Sequence, residues 1–111
     1  DLAREWHAWT ALPFVFAVWA IRADRADAVQ AAGVVDLLRE STARGLADLP
    51  RLAREAAARL GLPTNLCADY LRLLDYALSE RDLRGLRHFL ELSIPGFRWD
   101  TVRLLGQETC G

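Results

Sequence analysis

Ten residues constrain this chain more than any others. Leu12 to Ile21 read LPFVFAVWAI, and from Phe14 to Ile21 eight apolar residues stand without interruption. The run is short for a helix, is rich in β-branched and aromatic residues, and would make a helix apolar on every side, so it predicts a strand. An unbroken apolar strand is covered on both faces. Such a strand needs neighbours for its N–H and C=O groups, and the other short candidate is Leu74 to Leu78. The expectation is a sheet completed either by a second copy of the chain or by residues of a larger protein. Asp1 in place of a starting Met favours the larger protein.

Composition narrows the function classes. With 111 residues the chain has room for one domain, and 52% hydrophobic with 26% charged residues is globular rather than disordered. A net charge of −1 gives no bulk attraction to nucleic acid or to an anionic membrane. The apolar run is about half of a membrane span. All fourteen basic residues are Arg; Arg suits bidentate anion binding, but base composition explains the bias more simply. Cys67 and Cys110 are too far apart for a metal knuckle or a redox pair. Cys67 falls in a helical apolar pattern as a small core residue, Cys110 reads as an exposed thiol, and nothing demands an oxidising compartment, so the cytoplasm is expected.

Around the run the periodicity is helical. Leu2, Trp6 and Trp9 share one face of a helix ending near Thr10, and two Trp on one face predict a large buried contact. After a polar crossing at Arg22–Arg25, Asp24 or Asp27 caps a helix to about Arg44 that Gly45 stops, with Gly33 inside it as a point of close packing. Asp48 caps a further helix containing Pro50 and closing at Gly61 and Pro63. Thr64 opens a short helix with Cys67, Tyr70 and Leu71. Leu74–Leu78 reads either as its continuation or as an extended segment. Ser79 with Asp82 has capping-box spacing, so a helix starts near Glu80 and runs to Pro95-Gly96. A tail with Trp99, Val102, Leu104 and Leu105 follows. The resulting class is α/β and helix-rich, one buried strand plus four or five helices.

Candidate chemistry is sparse. His7 and His88 sit among charged residues and read as solvated surface. Glu80 and Arg84 have the spacing of a helix ion pair worth a few tenths of a kcal/mol. There is no glycine-rich phosphate loop, no catalytic residue stands out, and no metal-ligand set is spaced for a site. Trp19 is the one candidate substrate-binding residue. It lies near the end of the expected strand, where ligands of open α/β sheets collect, although core packing is the simpler role for a Trp.

The residues also carry a resemblance. Asp1-Leu2, Glu5-Trp6, Trp9-Thr10, the stretch from Leu12 to Ala20, and Arg22 resemble the segment DLxxEWxxWTxLPFVFAVWAxR of the chorismate dehydratases of the futalosine route to menaquinone. Tyr76, Leu78, Gly85-Leu86 and Phe89 resemble that family's YxLxxxxxxGLxxF ending. The sister 1,4-dihydroxy-6-naphthoate synthases tend to carry LPLPLG where this chain has LPFVFA. Ala3 and Ala11 stand where the family usually has glycine, and Ala11 matters if its turn needs positive φ.

The resemblance implies a lyase that removes water from chorismate, giving the enolpyruvyl ether of 3-hydroxybenzoate, with no metal or organic cofactor. It implies a two-lobed fold of the type II periplasmic-binding-protein kind, with a small carboxylate substrate in the cleft. Residues 1–22 would be the end of one lobe with a hinge strand, and 23–111 a C-terminal helical part packing on the other. Most substrate contacts of the family lie N-terminal to this segment, so no catalytic residue transfers. The segment alone is expected to be inactive and, with its strand flanks open, homo-oligomeric. The competing readings are a non-catalytic solute-binding protein of the same architecture and a self-associating helical interaction domain. Turnover of chorismate by a complete protein would exclude both.

Overall fold

The computed structural model describes residues 1–106, and these carry six α-helices and no β-strand. They divide into two compact units, one from residues 1–25 and 77–106 and one from 26–76.

The first unit opens with helix α1, Leu2–Thr10. Asp1 caps it, its carboxylate accepting from the N–H of Ala3 at 2.9 Å and of Arg4 at 3.3 Å. Ala11 ends it in the left-handed region at φ 57°, its N–H donating to the His7 carbonyl. The turn therefore does need positive φ, and Ala11 sits there at a cost of about 1 kcal/mol. The Thr10 hydroxyl fixes the corner, donating to the Trp6 carbonyl and accepting from the Leu12 N–H.

Across from α1 lies helix α6, Glu80–Ser93, which begins with the expected capping box. Ser79 Oγ accepts from the Asp82 N–H, and the Asp82 carboxylate accepts from the Ser79 N–H. Gly85 is buried in the first half of α6. A Cβ there would lie 2.2 Å from the Pro13 carbonyl oxygen. No side chain fits, so glycine is what lets the helix reach the backbone of the 11–14 corner. The same carbonyl accepts from the Trp6 indole N–H at 3.1 Å, and Arg81 donates to the Ala11 carbonyl at 2.7 Å. Beyond α6, Gly96 turns at φ 77° and a 3-10 turn forms at Trp99–Thr101.

The apolar run departs from expectation. Residues 13–22 form neither helix nor strand. Phe14 and Val15 are half-buried, whereas Phe16 is 72% and Trp19 81% exposed. A strand is stabilised by pairing, and among the described residues no strand is present to pair with it. The expected buried strand is therefore corrected to an open segment. Of the two Trp expected in a buried contact, only Trp6 is buried, at 7% exposed; Trp9 is 71% exposed.

The second unit is helical throughout. Ala26–Ala31 is helix α2 and Val34–Ala47 helix α3. The single helix expected from Asp24 or Asp27 to Arg44 is broken at Gly33, which adopts φ 70° with nothing near a prospective Cβ. Its role is conformational and not close packing. Gly45 does not stop α3, which runs on to Ala47; a Cβ at Gly45 would only touch Leu52 Cδ1 at 3.5 Å.

Helix α4, Leu49–Leu60, begins at Asp48, yet the Asp48 side chain makes no capping bond. It pairs with Arg51 at 2.5 Å instead, and Arg51 also reaches Glu55. Gly61 closes α4 at φ 67°, the N–H groups of Gly61 and Leu62 both reaching the Ala57 carbonyl. Helix α5, Thr64–Leu73, packs on α4. Ala53 and Ala57 of α4 meet Cys67 of α5, flanked by Ala56, Ala68 and Leu71. Cys67 is the small core residue expected. Leu74 ends α5 in extended backbone, and residues 74–79 are neither helix nor strand.

Candidate functional site

The first unit concentrates its aromatic side chains at the junction of α1, the Pro13 corner and α6. Trp6 lies at the centre, with ring centroids of Trp9 at 5.6 Å, Phe14 at 6.2 Å, His88 at 5.5 Å and Phe89 at 5.7 Å. Phe14 stands edge-on to Phe89 at 5.2 Å and to Phe16 at 5.3 Å. Burying an indole stabilises by about 3 kcal/mol, and edge-to-face pairs add about 1 kcal/mol each. The ion pair Arg87–Glu91 lies within α6, so it is the cluster, with Arg81 on the Ala11 carbonyl, that holds α1 to α6.

His88 is thus not the solvated surface residue that its sequence neighbours suggest. It is half-buried, its ring tilted against Trp6 and 6.4 Å from Trp9. The missing signal is Trp6 itself, which approaches from the far end of the chain. His7 is exposed, as expected.

Two open concavities flank the Arg84–Arg87 ridge of α6. The larger, about 410 Å³, has Trp9, Leu12 and His88 on its walls and Arg84, Arg87 and Glu91 at its rim. The smaller, about 270 Å³, has Leu83, Trp99 and Leu104 on the other side of the same arginines. Arg87 is held by Glu91 at 2.8 Å. Arg84 makes no hydrogen bond or ion pair among the described residues, so the pair expected with Glu80 does not form.

Trp19 lies in the open part of the 13–22 segment and belongs to neither concavity. The described residues include no buried polar or charged side chain and no cluster of His, Cys, Asp and Glu able to hold a metal ion. The Arg51 guanidinium is shifted above its ordinary range by its hydrogen bond to Asp48 and then by Glu55, but it is an exposed residue of the α4 surface. These residues can bind and position; an enclosed acid or base is not among them. No helix among the described residues is long and apolar enough to cross a membrane. Cys110 lies outside the described residues.

Comparison with known proteins gives two findings. The family model described as menaquinone biosynthesis matches residues 1–93. The chorismate dehydratase of Thermus thermophilus is 41% identical over 96 residues, which are 86% of this chain and 34% of that protein. The chain thus spans about a third of the length of that relative. No solved structure gives a significant match.

Proposed function

As the chain belongs to the menaquinone biosynthesis family, we propose that it is part of a hydro-lyase that dehydrates chorismate to the enolpyruvyl ether of 3-hydroxybenzoate on the futalosine route. One observation carries this reading: 41% identity over 96 residues to a protein that is itself a chorismate dehydratase. The geometry adds a physical reason. Glu5-Trp6 and Leu12-Pro13-Phe14 belong to one of the two segments resembling the dehydratases, and Gly85 and Phe89 to the other. They meet at the Pro13 carbonyl and the Trp6 ring.

Under this reading the complete protein has the two-lobed periplasmic-binding-protein-like fold. Residues 1–22 end one lobe with the hinge, and 23–111 pack on the other. The contact of α1 with α6 then lies where the lobes meet. In the complete protein the run from Phe14 to Ile21 pairs as a strand, which supplies the hydrogen bonding it lacks here. Trp19, 81% exposed in this chain, would stand at the end of that strand as a wall of the substrate cleft.

Dehydration needs a positioned acid or base and groups that hold two carboxylates. Residues outside the third of the relative that this chain matches supply them in this proposal, and the 111 residues alone are inactive. A cytoplasmic setting fits the free thiol of Cys67. The test is a chimera in which this chain replaces the matching third of the Thermus thermophilus enzyme, assayed for chorismate loss and product formation. Turnover supports the reading; a folded chimera that leaves chorismate intact overturns it.

A further inference from the structure

We propose that the larger concavity between α1 and α6 is a binding site for a monocyclic aromatic monocarboxylate, with Trp9 and His88 as the ring platform and Arg84 as the carboxylate clamp. The proposal is independent of chorismate turnover, and nothing in the family match assigns this groove a ligand.

Three observations meet in it. Trp9 keeps 71% of its surface exposed while remaining edge-on to the buried Trp6 at 89°. One aromatic neighbour sets its orientation and most of its surface is open, so a second ring has a surface to stack on. His88 is supported in the same way, its ring 5.5 Å from Trp6 and 6.4 Å from Trp9. The concavity of about 410 Å³ on which both border has room for one six-membered ring and some of its hydration water.

The charge at the rim selects the anion. Arg87 is paired with Glu91 at 2.8 Å, which cancels both charges locally. Arg84 is left with its guanidinium unengaged among the described residues, one turn from a Glu80 that does not take it. One uncompensated guanidinium, with a planar fork of donors, matches one carboxylate in bidentate fashion. A second carboxylate on the ligand would find Arg87 already taken by Glu91, so one carboxylate is what the rim can clamp. An acidic peptide side chain could use Arg84, but it would leave the Trp9 face bare.

The test is titration of the 111-residue chain with sodium benzoate, followed by the indole N–H resonances of its tryptophans. The expected result is saturation with a Kd of about 1 mM, a shift at Trp9 and none at Trp19. Cyclohexanecarboxylate and acetate should bind about tenfold more weakly. Arg84→Gln, at an exposed position, should raise the benzoate Kd about tenfold with unchanged thermal unfolding. Trp9→Leu should abolish the preference for benzoate over cyclohexanecarboxylate. A response that does not saturate overturns the site. Equal binding of acetate and benzoate also overturns it, reducing it to a bare anion on Arg84, as does an unaltered Kd in Arg84→Gln.

Discussion

The two units bring backbone and side chain close in different ways. In the first, one residue does it: Gly85 lies against the Pro13 carbonyl, where a Cβ would meet oxygen at 2.2 Å. In the second, α4 and α5 approach through Ala53, Ala57 and Cys67, a set of small side chains that share the contact. The first unit joins residues from opposite ends of the chain through specific contacts: the Trp6 indole on the Pro13 carbonyl and Arg81 on the Ala11 carbonyl. The second joins helices adjacent in sequence. A contact made by one glycine and one carbonyl is broken by a single added methyl, whereas the α4–α5 contact is spread over several small side chains. The residues resembling the dehydratases, Tyr76 apart, lie in the first unit.

The largest expected effect is for Gly85→Ala. Backbone cannot yield as a flexible side chain can, so the loss should be about 3 kcal/mol, read as early melting of near-UV tryptophan signal. Far-UV helix signal from α4 and α5 should persist. Trp6→Phe keeps an aromatic ring at the centre of the cluster but strips the Pro13 carbonyl of its indole donor; a loss of about 1.5 kcal/mol in urea unfolding is expected. Ala11→Gly runs the other way. Relief of the left-handed alanine should stabilise the first unit by about 1 kcal/mol, and an unchanged or lowered midpoint would mean that the turn is not strained.

The sharpest contrast is the smallest effect. Gly45 is also a helical glycine, but a Cβ there makes an ordinary contact with Leu52 at 3.5 Å. Gly45→Ala should therefore stabilise α3, by about 0.7 kcal/mol in thermal unfolding. The same substitution at Gly45 and Gly85 thus carries opposite signs. If both destabilise alike, the difference between the units is not real.

What was legible in the sequence was what depends on neighbours a few residues away. Ser79 with Asp82, Gly61 before Pro63, and the Asp1 to Thr10 helix follow local rules, and the structure has them. What failed depends on distant residues or on a choice between local partners. The run from Phe14 to Ile21 reads as a buried strand because its composition demands cover, but composition does not say which residues supply the cover. His88 looked solvated because its partner Trp6 is remote in sequence. Asp48 was in place to cap α4, yet Arg51 one turn away competes for the carboxylate. Gly33 announced a special position without saying whether space or φ was the reason. Gly85 drew notice only through the resemblance, since a glycine inside a helix pattern says nothing about the carbonyl it faces.

Hydrogen exchange at the indole N–H groups tests the central structural claim most directly. That claim is that the two family-like segments lock at Pro13 and that the apolar run beyond is open. Trp6, buried and bonded to the Pro13 carbonyl, should exchange slowly, while Trp9 and Trp19 exchange at the solvent rate. Slow exchange at Trp19 matching that at Trp6, or fast exchange at Trp6, would contradict it.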